Sequence, residues 1–180
     1  MARRFARFRT GPPAPGPGYS ELPSDGMCLN AFLLLRAPTD PGRVLLGHIS
    51  PDPRWFEVGA LDAGRAAHTA GRWMLPSRQL ALFESPAAAA VSIAREQLGI
   101  DLASVPAPEV FSETYSRPGS TESDPHWDLH FIFSLTGPRD PPTSSLWTEL
   151  AYVPAATTPR ASFARGHGDI LELVGLPPAP

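Results

Sequence analysis

The sequence predicts a mixed α+β domain, and three observations carry that expectation. Two strand-like runs flank a turn between residues 28 and 49, a well-capped helix spans 85–98, and strand-type runs resume after it. At 180 residues the chain suits one core better than two. The expected organisation is a disordered Arg/Pro-rich arm over 1–24, a folded domain over 25–175 and a short tail over 176–180.

Each element has its local reason. The arm carries Arg3, Arg4, Arg7 and Arg9, then Gly11-Pro12-Pro13-Ala14-Pro15-Gly16-Pro17-Gly18, a run that cannot sustain a backbone ladder. From Cys28 to Arg36 apolar residues dominate, with Phe32 and three consecutive leucines, as in a strand covered on both faces. Pro38-Thr39-Asp40-Pro41-Gly42 supplies a turn, and Arg43 to Ile49 reads as the antiparallel return strand. Residues 50–72, punctuated by Pro51, Pro53, Gly59, Gly64 and Gly71, form a long loop-rich segment of the kind that often carries function. Ser85 is a good N-cap, Pro86 sits at the first helical position, and Gly99 closes the helix, with Ala87, Val91, Ala94 and Leu98 as its apolar stripe. Strands follow at 110–115, 129–135 and 150–153, and Asp169 and Glu172 have capping-box spacing for a helix through Val174.

Composition excludes several chemistries. All 15 cationic residues are arginine, so there is no lysine Schiff base, P-loop lysine or lysine general base. A net charge of −3 argues against a broad nucleic-acid surface. A lone Cys28 forms no internal disulfide and no cysteine zinc cage, and reads as a small core residue. The longest apolar run, Ala31 to Leu35, is far short of the ~20 residues of a membrane helix, so a soluble cytoplasmic protein is expected, with no membrane partner.

The stretch Gly71-Arg72-Trp73-Met74-Leu75-Pro76-Ser77, then Glu84-Ser85-Pro86, then Glu96-Gln97-Leu98-Gly99-Ile100, resembles the Nudix superfamily. Its members show W-x-L-P-G-G followed by a G-x5-E-x7-R-E-U-x-E-E-x-G-U box, in which U is a bulky aliphatic. Laid on this chain without a gap, the box runs from Arg78 to Ile100. Glu84, Glu96, Gly99 and Ile100 match it; Arg78 replaces its glycine, Ser92 its arginine, Ile93 a glutamate, Ala94 the aliphatic and Gln97 the last glutamate.

The resemblance implies a Nudix-like α/β/α sandwich with a mixed central β-sheet. It also implies hydrolysis of a nucleoside diphosphate-linked or related phosphoanhydride, using Mg²⁺ or Mn²⁺ held by Glu84 and Glu96; without hydrolysis no cofactor is implied. Positions 93, 96 and 97 share one helix face, which here presents Ile, Glu and Gln, a poor oxygen set for a hard dication. Ser92 cannot brace Glu84 as the box arginine would, and Arg78 does not suit a turn that needs positive φ.

Other residues offer alternative chemistry. If extended, His126-Trp127-Asp128-Leu129-His130 places His126, Asp128 and His130 on one side, a set able to bind a metal, act as acid and base, or simply form a polar sheet face. Glu113 reads as a pocket carboxylate or an edge residue. Trp55 and Phe56 read as pocket walls or loop packing, and Trp73 as core. Any anion clamp must use arginine: Arg72, Arg78, Arg95, Arg117 or Arg165. Arg165-Gly166-His167-Gly168 reads as a capping turn or an anion site.

Three functions stay open: a Nudix-type hydrolase with a degenerate site, a non-hydrolytic relative that binds or transforms a small molecule without metal, and an interaction module using the arm. The expected partner is a small-molecule ligand, with a homodimer also open and no nucleic acid.

Overall fold

The computed structural model describes residues 7–8, 27–116, 125–164 and 166–180. Its strands are β1 (Arg7–Phe8), β2 (Met27–Ala37), β3 (Asp40–Ile49), β4 (Ser77–Gln79), β5 (Glu109–Ser116), β6 (Pro125–Thr136) and β7 (Trp147–Pro154). Its helices are α1 (Trp55–Val58), α2 (Ala63–Thr69), α3 (Pro86–Leu98) and α4 (His167–Leu173). The rest of the predicted arm lies outside the described residues, while Arg7 and Phe8 pair with Cys28 and Met27.

One mixed sheet runs β5-β6-β2-β3-β7, with β1 and β4 also paired to β2. On the main path β2 pairs with β6 in parallel, while β2 with β3, β3 with β7 and β5 with β6 are antiparallel. Helices cover both faces, which is why β2 has no polar side to its leucine run. Leu33, Leu35, Leu45 and Phe133 pack under α3, whose Ala89, Ala90, Ile93, Ala94 and Leu98 complete that layer. Phe32, Leu34, Val44, Leu46 and Ile132 face the other way, against Ile170 and Leu171 of α4. Period-two alternation thus divides one strand between two cores, giving the α/β/α sandwich.

Three local expectations shift. The segment 50–72 is not all loop: α1 and α2 lie in it, and Asp62 caps α2 by accepting from the Arg65 N–H at 2.9 Å. On α3, Ser85 and Gly99 cap as predicted, with Gly99 left-handed at φ 69°, but the buried stripe is Ala89, Ala90, Ile93, Ala94, Gln97 and Leu98, leaving Ala87 exposed. A run of alanines sets no phase of its own, so Ile93 and Leu98 choose it. Finally, α4 starts at His167, with Gly166 as N-cap; Asp169 and Glu172 do not form a capping box and instead both pair with Arg160.

Candidate functional site

The box lies on the α3 side of the sheet. Arg78 is extended within β4, opposite Ala31 of β2, so its backbone needs no glycine. The left-handed residue of this loop is Phe83 at φ 64°, in a turn closed by the Glu84 N–H donating to the Ala81 carbonyl at 3.1 Å. The Arg78 side chain is 0% exposed and donates to Glu84 Oε1, while Glu84 Oε2 accepts the Ala81 N–H at 3.0 Å. The brace that Ser92 cannot make is therefore supplied from position 78. Arg78 is consequently not available as an anion clamp.

The helix face that would hold a dication is committed to packing. Ile93 is fully buried, a burial that contributes roughly 1.5–3 kcal/mol. Gln97 is fully buried too: its Oε1 accepts the Ser77 N–H at 3.2 Å, and its Nε2 donates to the carbonyls of Val58 at 2.8 Å and Ser77 at 3.0 Å. Glu96 is half-buried and lies 3.5 Å from Arg95. Among the described residues no three His, Cys, Asp or Glu side chains converge as a metal site. Mg²⁺ or Mn²⁺ bound by Glu84 and Glu96 does not fit this donor set, because Glu84 is tied to an arginine and the neighbouring box positions are apolar or hydrogen-bonded inward.

A polar cluster occupies the opposite face, toward α4. Strand register lines up Cys28, Asp128 and Glu113 across β2, β6 and β5, and places Asn30 beside His130 one row further. Asp128 and His130 are buried. His130 Nε2 lies 3.3 Å from Glu113 Oε2, and its Nδ1 lies 3.5 Å from the Asn30 amide nitrogen. With Asn30 in this orientation, neutral His130 accepts at Nδ1 and donates from Nε2 to Glu113. Burial lowers the His130 pKa, opposed by the charges of Asp128 and Glu113. The Phe32 ring takes His130 on one edge, centroids 5.4 Å apart, and His167 on another at 5.7 Å.

His167 is held neutral. Its Nδ1 accepts the Leu75 N–H at 3.1 Å, and burial, with a smaller contribution from His130, pushes its pKa down to about 3. A histidine with a folded pKa below its unfolded ~6.5 binds fewer protons when folded, so its contribution is complete above that pH and is lost as pH falls toward the folded value. Urea denaturation should therefore show stability falling below pH 6.5 by up to about 1.4 kcal/mol per unit, with a shallower slope in His167→Asn. An unchanged slope would remove His167 as its source.

The remaining candidates separate. Trp55 is core: it is buried, its Nε1 donates to the Leu146 carbonyl at 2.9 Å, and it meets Trp147 edge-on at 4.7 Å. Phe56 and Arg72 are exposed. Trp73 is half-buried and stacks on His48 at 4.0 Å. His126 continues β6 opposite Tyr115, but its side chain, like all of Arg117 and Arg165, lies outside what the structure describes. The structure thus brings Asp128, His130 and Glu113 together on the face toward α4, whereas Glu84 and Glu96 belong to the turn before α3 and to α3 itself. Sequence reading missed Asn30 as a partner of His130, and did not foresee that His167 shares its phenylalanine.

At the level of sequence, no protein-family model and no curated protein matches the chain. Solved structures do. A MutT Nudix hydrolase from Burkholderia pseudomallei aligns at TM-score 0.54 and 16% identity, covering 82% of this chain and 98% of that one. A Nudix hydrolase from M. smegmatis aligns at 0.48 and 18% identity, over 88% and 96% of the two chains. The E. coli dihydroneopterin triphosphate pyrophosphohydrolase aligns at 0.44 and 13% identity, over 71% and 80%. Among the described residues no helix is long and apolar enough to cross a membrane. With the mixed sheet and its two helical layers in place, the chain has a Nudix-like fold.

Proposed function

We propose that this domain binds a small polar organic molecule on the α4 face of its sheet and does not use a box-bound dication. The carrying observation is the inward commitment of the box: Arg78 holds Glu84, Ile93 is core, and Gln97 makes three hydrogen bonds. The α4 face supports the rest, since the Asp128 and Glu113 carboxylates offer acceptors to a ligand rich in hydrogen-bond donors, and neutral His130, accepting from Asn30, orients Glu113 by donating to it. His130 and Glu113 can also pass a proton between ligand and solvent, which leaves acid–base chemistry within reach. A cytoplasmic location belongs to this reading.

A second reading, phosphoanhydride hydrolysis, is favoured by the half-buried Glu96 carboxylate at the surface of α3 in a fold shared with Nudix hydrolases. One experiment separates them. A panel of nucleosides, nucleotide sugars, dinucleotides and nucleoside triphosphates is screened by thermal shift with Mg²⁺, Mn²⁺ or a chelator, and for turnover. The binding reading expects a stabilising compound whose effect survives the chelator and weakens at least about tenfold in Glu113→Gln and His130→Gln, as loss of hydrogen bonds to charged or buried groups predicts. Metal-dependent turnover abolished by Glu96→Ala would overturn it.

A further inference from the structure

Beneath the C-terminal half of α3, on the sheet face opposite the polar cluster, lies a cavity of about 300 Å³. Its walls are Leu33 and Leu35 of β2, Leu135 of β6, Ala94 of α3, and Ile100 and Leu102 just beyond the helix. Leu33, Leu35 and Ala94 are fully buried and form the floor, whereas Ile100, Leu102 and Leu135 are half-buried and flank the opening. Ala94 occupies the box position of a bulky aliphatic, and that missing side chain leaves part of the space.

The wall is apolar apart from the rim, where the exposed Thr136 is its one polar side chain among the described residues. A buried water needs two to four polar partners. The rim is the turn after β6, where the Gly137 N–H already donates to the Arg36 carbonyl at 2.8 Å and the Pro138 carbonyl already accepts from the Tyr152 hydroxyl at 2.7 Å. Among the described residues no charged side chain lines the space. The volume is roughly twice that of an engineered ~150 Å³ apolar cavity that stays dry and takes up benzene, and it meets the lower end of the ~300–1,000 Å³ range of ligand pockets.

We propose that this cavity is a binding site for an uncharged apolar molecule, or apolar substituent, of about the size of a butyl-substituted ring. The occupant lies between α3 and the sheet, so it is separate from the ligand proposed for the α4 face. Apolar contact supplies its affinity, and a carboxylate or phosphate on the part that enters would meet no cation to compensate for lost water.

The test uses the full chain, n-butylbenzene as probe and 4-butylbenzoate as its charged counterpart, read by methyl NMR. Saturable shifts should appear at the methyls of Leu33, Leu35, Leu102 and Leu135 and not at Ile170 or Leu171 across the sheet. 4-Butylbenzoate should bind at least tenfold more weakly. Ala94→Leu, which fills the floor, should weaken n-butylbenzene at least tenfold; Leu102→Gln, at the half-buried mouth, should do so at least fivefold if the first variant does not fold. No saturable shift, equal binding to the variant that folds, or equal binding of the charged counterpart would overturn the proposal. Binding that appears only after deletion of residues 1–24 would overturn it as well, because the chain's own arm would then be the occupant.

Discussion

Replacing Gln97 with glutamate, the residue the box has at that position, should destabilise the domain by about 3–5 kcal/mol rather than create a metal ligand. The Gln97 side chain has no exposed surface and uses its amide in both senses, accepting from the Ser77 N–H and donating to the carbonyls of Val58 and Ser77. A carboxylate keeps the acceptor and loses both donors, turning two buried hydrogen bonds into contacts between a negative charge and carbonyl oxygens. Burial and those carbonyls would raise the pKa of the introduced carboxyl above its unfolded value. The neutral acid, with one O–H to donate, is then the better-tolerated form, so the penalty should grow as pH rises above the unfolded carboxylate pKa of about 4.3. Urea denaturation of Gln97→Glu at pH 5 and pH 7 checks this. Wild-type stability at both values would mean that Gln97 is not the tie between α3, β4 and α1.

That tie shows where sequence reading stopped. Hairpin, box helix and the strands after it were legible because their signals are local: the leucine run of β2, Ser85 and Pro86 at one end of α3, Gly99 at the other. Gln97 could be read only as a missing glutamate, since its partners lie 20 and 39 residues away. Alternation along β6 did put Asp128 and His130 on one face, and the antiparallel register of β5 brought Glu113 to them. Asn30 and His167 join that cluster through a parallel pairing and a helix on the far layer, neither of which any local spacing encodes. The helices α1 and α2 were missed because four and seven residues are too few to show a period, although Asp62 was a usable capping signal.

Arg78 and Glu84 should behave as one unit. The guanidinium is fully buried and the carboxylate 14% exposed, so each single replacement, Arg78→Met or Glu84→Gln, leaves its partner's polar group in low dielectric and should cost about 2–4 kcal/mol. Glu84→Gln keeps an acceptor for the Ala81 N–H, which isolates the ion pair from the turn it closes. The double variant removes both charges, and a buried pair replaced together is often close to neutral. The singles should therefore sum to at least about 1.5 kcal/mol more than the double, measured by urea denaturation. Raising salt should leave that coupling nearly unchanged, because screening acts weakly on a pair out of solvent. Such coupling is what an internal cation requires if it is to hold the box glutamate in place of a metal. Additive singles would mean that Glu84 is free to turn outward, and the Glu96-dependent hydrolase reading would regain its second carboxylate.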